Sequence, residues 1–476
     1  MIKINSHVIQ CKICIDNNTT GGNIIMEFMM TFGWASVMLC IGIFLRAKFS
    51  FLRNMLVPAS VIGGLVGILF MNIMSGIEVD IGTSADIFTS IVNNLFTVSF
   101  ISISLGNNTK ENNSTHTIIK GALGLGLVWC LLYALTPIVA SAIVYITGKS
   151  VGMNTIYGML IQFAFCQGPG QSAAYGAIFE QYGWDRAAMV AITFSTIGFI
   201  VAFLVGIPAA KLGIKRGIAK NCGKLDDSIL KGYLTKDEQN QYMVKDTTCN
   251  SNIETLTFHF ALIGVCYILA VGISKVLSLI PGFLGTSMSS MMFMNGMYAA
   301  YIVKFLMHKL HLDFLQEDTL QSKITGWTAD YLVVCSFMAV SLVAIKDWLW
   351  IIIFVSILIT IITFLVCFYF GQRFGGTNDF ERTLGLFGTC TGTVPSGIAL
   401  VRIVDPNFMT STSVELGACN LVMLASTPVY IIILAVAAGS MEIMPAIVGL
   451  FICCIGYLGI LKLTKMWGKR TYSWKG

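Results

Sequence analysis

Charge is scarce in this chain: Asp, Glu, Lys and Arg make up 11% of 476 residues, and histidine occurs only five times. With 55% hydrophobic residues and a mean hydropathy of +0.78, so little charge excludes an ordinary soluble domain, in which roughly a quarter of residues are charged. The scarcity of histidine argues against a metal centre. His308, His311 and Asp313 form an H-x-x-H-x-D cluster, but no third histidine lies near and the connection around them is charged, so they read as solvated loop. A Ser-His-Asp arrangement, a paired-carboxylate site and a phosphate loop are all missing, which leaves an intramembrane enzyme without its chemistry. Deep ionisable pairs, which a proton antiporter needs, are missing as well. The net charge of +6 comes from Lys and Arg placed between apolar runs, so it points to cytoplasmic loops and not to nucleic acid.

What fills the chain is apolar runs of membrane length, the mark of an all-α polytopic protein of the cell membrane, with the lipid bilayer as its solvent. Residues 1–23 form a polar tail whose lone Cys11-Lys-Ile-Cys14 has no second pair to complete a metal site. Residues 24–45 form a retained first span, because no small-residue cleavage site follows and Arg46, Lys48 and Arg53 do. Further spans are expected over 55–74, 87–105, 117–146 and 187–210, making 24–210 one repeat. A loop over 211–254, with eight Lys/Arg and six Asp/Glu, is the one clear internal boundary. Spans over 256–274, 288–306, 327–345, 348–370 and 414–438 make 255–438 a second repeat, and 439–476 adds one more span, 443–463, with a basic tail. Most of the fourteen cysteines, such as Cys40, Cys130, Cys335 and Cys453, sit in spans as small buried hydrophobes.

Each repeat is interrupted before its fifth span. Gln167-Gly-Pro-Gly-Gln-Ser172 breaks the apolar stretch 156–180, and Thr391-Gly-Thr-Val-Pro-Ser396 breaks the stretch 385–406. Broken backbone survives at membrane depth only where protein or a watery cavity covers it, and paired breaks in two halves point to a transporter binding site. Ser99-Phe-Ile-Ser-Ile-Ser-Leu105 resembles Ser336-Phe-Met-Ala-Val-Ser-Leu342 at corresponding places in the repeats. Five crossings per repeat, each with a re-entrant segment, make the second repeat inverted. With the N-terminus outside, the central loop, the C-terminus and most Lys and Arg fall inside; Lys149, Arg186, Lys275 and Lys346, with Lys3 and Lys12 of the tail, fall outside.

Half-helix N-termini attract a carboxylate and exposed carbonyls suit Na⁺, so an anion with Na⁺ is the natural pairing. Gln171, Ser172, Thr391, Thr393 and Ser396 are the candidate substrate contacts, against the alternative that they bond within their own helices. Arg402 either pairs locally with Asp405 or turns toward the site to meet a carboxylate. Backbone at Gly168, Gly170 and Gly392, with the amides of Asn93 and Asn420, supplies candidate Na⁺ ligands; interhelical bonding is the alternative for the asparagines, and Asn94 and Asn295 share it. Glu180 and Glu415 read as interfacial. An uncoupled channel or uniporter for a small organic anion is the alternative function.

Several of these segments resemble the sodium/glutamate symporter (glutamate:sodium symporter, ESS) family over roughly residues 24–438. The carriers are Gly168-Pro-Gly-Gln-Ser-Ala-Ala-Tyr175 with Glu180-Gln-Tyr-Gly183, Pro58-Ala-Ser-Val-Ile-Gly-Gly64, and the run Thr391 to Ser396. The chain departs from better-known members, which carry a Gly-Gly-His-Gly type sequence at Gln167 to Gly170 and a more glycine-rich second break. The resemblance implies import of glutamate or a related small carboxylate with Na⁺, two inverted five-helix repeats, a homodimer, and elevator-like movement of a transport domain against a scaffold.

Overall fold

The computed structural model describes residues 6–54, 57–106, 115–219, 221, 247–248, 251–281, 285, 288–289, 291–343, 345–405 and 409–473. Helices alone make up the regular structure of these residues. The first half runs α1 (Ser6–Lys48), α2 (Ala59–Gly76), α3 (Ala85–Leu105), α4 (Thr115–Thr147), then a broken region of α5 (Ile161–Phe165) and α6 (Gly168–Gln181), then α7 (Ala187–Lys215). The second half runs α8 (Thr255–Leu277), α9 (Met292–Lys309), α10 (Asp318–Met338), α11 (Leu349–Gly371), a broken region of α12 (Asp379–Thr391) and α13 (Val394–Val404), then α14 (Thr412–Val422) and α15 (Thr427–Ala437). α16 (Ile443–Leu463) follows alone. Eight described helices are long and apolar enough to cross a membrane, nine if the bent pair α14–α15 counts as one span, so the chain is a multi-pass membrane protein.

Four elements depart from their sequence-based bounds for physical reasons. The polar stretch before residue 24 continues the backbone helix of α1 from Ser6; the side chains of Cys11 and Cys14 lie outside the described residues. α10 starts nine residues before the expected 327 and ends at Met338, because the apolar run beyond it leaves the helix. The Asn72 amide holds that run as a second peptide group would, donating to the Val340 carbonyl at 2.9 Å and accepting from Leu342 N at 2.8 Å. The span expected over 414–438 bends by 43° between α14 and α15, where Pro428 in the first turn of α15 has no N–H for the preceding turn. α7 extends past residue 210 to Lys215. Most of the central loop, 222–246, lies outside the described residues.

The helices sort into two bundles. The first three spans of each half pack together: α1 on α2, α8 on α9, α2 on α10, α9 on α3, and α3 along α10. Polar side chains fasten this last contact, with Ser102 Oγ donating to Gln321 Oε1 at 2.7 Å and Thr325 Oγ1 donating to Ser102 Oγ at 3.1 Å. The remaining spans and both broken regions form the second bundle, in which α4 packs on α14 and α16, α11 on α7, and α12 and α13 on α7. Contact between bundles runs mainly through α3 against α6.

Candidate binding site at the two broken segments

In the first broken region the chain turns at Cys166 and Gln167 before α6. Gly168 sits at φ +75°, a left-handed conformation that favours glycine, and Pro169 occupies the first turn of α6, where its missing N–H costs nothing. The interruption frees backbone groups, and side chains meet them. Trp129 Nε1 donates to the Cys166 carbonyl at 2.8 Å, and Ser172 Oγ to the Gly168 carbonyl at 2.9 Å. In the second, Gly392 joins α12 to α13, and Thr393 with Ser396 forms a reciprocal cap: Ser396 Oγ accepts from Thr393 N at 2.9 Å and contacts Thr393 Oγ1 at 3.2 Å. Pro395 occupies the first turn of α13, as Pro169 does in α6.

The two breaks touch. A Cβ on Gly168 would lie 2.4 Å from Thr393 Cγ2 and 2.9 Å from the Gly392 carbonyl oxygen, so no larger residue fits between the segments. Beside this contact is a cavity of about 230 Å³. Gln167 and Gly170 line it from the first break, Thr393 and Ser396 from the second, and Asn420 from α14; α3 and α10 face them with Ser99, Thr325 and Asp330. Two helix N-termini, with first-turn N–H groups that have no acceptor in their own helices, thus converge on one space. Asp330 bears the one carboxyl group among the described lining residues, and Ser60 beside it hydrogen-bonds that group. Gly170 closes the wall so tightly that a Cβ there would fall 2.0 Å from the Phe96 ring.

Of the residues singled out from sequence, Gly170, Thr393, Ser396 and Asn420 reach the cavity, and Gly168 and Gly392 form the contact beside it. The others lie elsewhere. Gln171 is fully buried inside the second bundle, accepting from the Tyr133 hydroxyl and donating to the Tyr430 hydroxyl at 3.1 Å. Ser172 and Thr391 bond back to carbonyls of their own segments, Thr391 Oγ1 reaching Phe387 at 2.7 Å. Asn93 is on α3 away from the cavity lining, and Arg402 is on the exposed face of α13 with Arg46 as a neighbour. The Asp405 carboxylate accepts from Met409 N, Thr410 N and Thr410 Oγ1 at 2.7–2.8 Å. His308 and Asp313 form an exposed pair at 2.8 Å, in keeping with a solvated connection.

Two groups escaped the sequence reading. Asp330 falls inside the span expected over 327–345, and a lone acid within an apolar run was the available signal. Glu415 is not interfacial: it is fully buried, and its two oxygens accept from Arg382 Nε at 2.7 Å and Nη2 at 2.6 Å, while Arg382 Nη1 also reaches Asp379 at 3.1 Å. An acid flanked by Val414 and Leu416 was the available signal, since ionisable groups at membrane depth face inward and pair.

The profile of the sodium/glutamate symporter family matches residues 24–409. The sodium/glutamate symporter of Haemophilus influenzae is 25% identical over 244 residues, 50% of this chain and 55% of that protein. That of Escherichia coli is 25% identical over 243 residues, 51% of this chain and 56% of that protein, so the chain spans about half the length of these relatives. With a match that runs from the first span through both broken segments, the chain belongs to the sodium/glutamate symporter family, a family of transporters and not of enzymes.

Proposed function

We propose that the protein imports glutamate across the cell membrane by symport with Na⁺, binding both at the junction of the two broken segments. The observation that carries this reading is the meeting of the α6 and α13 N-termini at one cavity, a concentration of N–H donors and positive dipole ends suited to carboxylate oxygens. Asp330 on the opposite wall favours an amino acid over a plain dicarboxylate, because an ammonium group offsets its charge and a second carboxylate does not. Na⁺ takes oxygen ligands, and the Gly392 carbonyl with the Asn420 amide offers them beside the carboxylate, whose charge the ion neutralises.

The two-bundle packing supports an elevator-like step, in which the bundle holding both breaks slides against the bundle built on α3 and α10. The reciprocal contacts of corresponding spans, α2 with α10 and α9 with α3, support two inverted repeats related by a pseudo-two-fold axis. In this reading the N-terminus is outside, the central loop and C-terminus are cytoplasmic, and the protein works as a homodimer. Uptake of labelled glutamate into proteoliposomes tests the coupling: an inward Na⁺ gradient is expected to drive accumulation above equilibrium. Equilibration at the same rate with choline replacing Na⁺ would instead identify an uncoupled uniporter or channel.

A further inference from the structure

Away from the breaks, α7 and α11 leave an apolar cleft of about 810 Å³ between them. Pro208 and Leu212 of α7 and Phe364 and Phe368 of α11 line its length, and Arg373 and Arg470 close one end. Arg470 reaches that place from beyond α16 because the chain there is pinned to the end of α11, with Gly468 N donating to the Arg373 carbonyl at 3.0 Å and Thr471 N to the Gln372 carbonyl at 2.9 Å. Arg373 is 9% exposed; its guanidinium lies 3.8 Å from the Tyr369 ring centroid and donates to the Tyr369 carbonyl.

Neither guanidinium has a carboxylate partner among the described residues. Asp379, the acid nearest Arg373 in sequence, is already engaged by Gly375 N, Gly376 N, Arg382 and Thr471. A cation this buried is ordinarily balanced by an anion, and a planar guanidinium suits phosphate oxygens. We propose that the cleft binds an anionic phospholipid, its phosphate held between Arg373 and Arg470 and an acyl chain laid along Pro208, Leu212, Phe364 and Phe368. Lys211 and Lys215 of α7 and Lys469 of the tail stand at the same end, so a headgroup with its own ammonium is disfavoured there.

Trp467 sits beside the site, donating through Nε1 to the Tyr369 hydroxyl at 3.3 Å, and reports on it. The full chain is reconstituted in phosphatidylcholine vesicles containing a fixed fraction of either brominated phosphatidylglycerol or brominated phosphatidylcholine, and the Trp467 contribution is taken as the difference from Trp467→Phe. Brominated phosphatidylglycerol is expected to quench Trp467 with an apparent affinity about fivefold higher per guanidinium engaged. Arg470→Gln, at an exposed position, should lose part of that preference, and Arg373→Gln with Arg470→Gln all of it. Equal quenching by the two lipids in the unaltered protein, or an undiminished preference in Arg470→Gln, overturns the proposal. Loss of the preference on adding millimolar inorganic phosphate also overturns it, by showing a site for a small free anion.

Discussion

In the proposed reading, Asp330 is the residue on which substrate choice turns. It bears the one carboxyl group among the described residues of the cavity wall, it faces a space that two helix N-termini make favourable for anions, and in that reading its partner is the ammonium group of the substrate. Asp330→Asn is expected to raise the KM for glutamate about tenfold, the equivalent of about 1.4 kcal/mol, while competition by glutarate, which lacks the amino group, becomes no weaker. Uptake kinetics with both compounds check this. An equal loss for both would make Asp330 a packing residue. Thr393 and Ser396 stand out in the sequence as ligand candidates by residue type alone, and only the structure pairs them as a cap. Gln171 was misleading for a similar reason: its residue type suits a ligand, yet Tyr133 and Tyr430, distant in sequence, consume its amide.

At the scale of elements, the second break is fixed to its neighbours by charge. Arg382 of α12 grips Glu415 of α14 with two hydrogen bonds, both side chains almost fully buried, and α4 presses against the pair at Gly121, where a Cβ would lie 2.2 Å from the Glu415 carboxyl carbon. Glu415→Gln leaves Arg382 under-compensated and is expected to cost about 3–5 kcal/mol, read as a lowered Tm in detergent. Replacing both partners, Arg382→Met with Glu415→Leu, should recover only part of that loss, because the buried Asp379 keeps its hydrogen bonds from Gly375 N, Gly376 N and Thr471 but loses its cation. A double variant less stable than Glu415→Gln would contradict this account. The same elements explain why α14 and α15 bend: the pair anchors α14 to α12, while Pro428 opens the helix beyond it.

For the whole molecule, the distribution of Lys and Arg predicts an orientation that packing alone leaves free. Reporter fusions are expected to place the central loop 211–254 and Lys475 in the cytoplasm and residues before 24 outside. A cytoplasmic N-terminus would remove the ground for inverted repeats. The described bundles give the orientation its meaning, because one carries both broken segments and meets the other chiefly along α3 and α6. In the proposed elevator-like step, movement of one bundle against the other would carry the cavity across without dismantling either break.

The sequence by itself determined the class and the position of both breaks, because hydropathy and proline act locally: an apolar run has to be helical in lipid, and Gly-Pro-Gly or Val-Pro-Ser interrupts it wherever it lies. Periodicity also carried the order of spans, though not their ends. Where α10 stops was decided by Asn72, more than 260 residues away, which supplies the hydrogen bonds that let an apolar run leave the helix. Only the tertiary structure decided which polar side chains face the cavity. Each of Gln171, Ser172, Thr391 and Thr393 has donors and acceptors to satisfy, and whether a neighbour satisfies them or leaves them to a ligand depends on contacts between distant segments that no local pattern encodes.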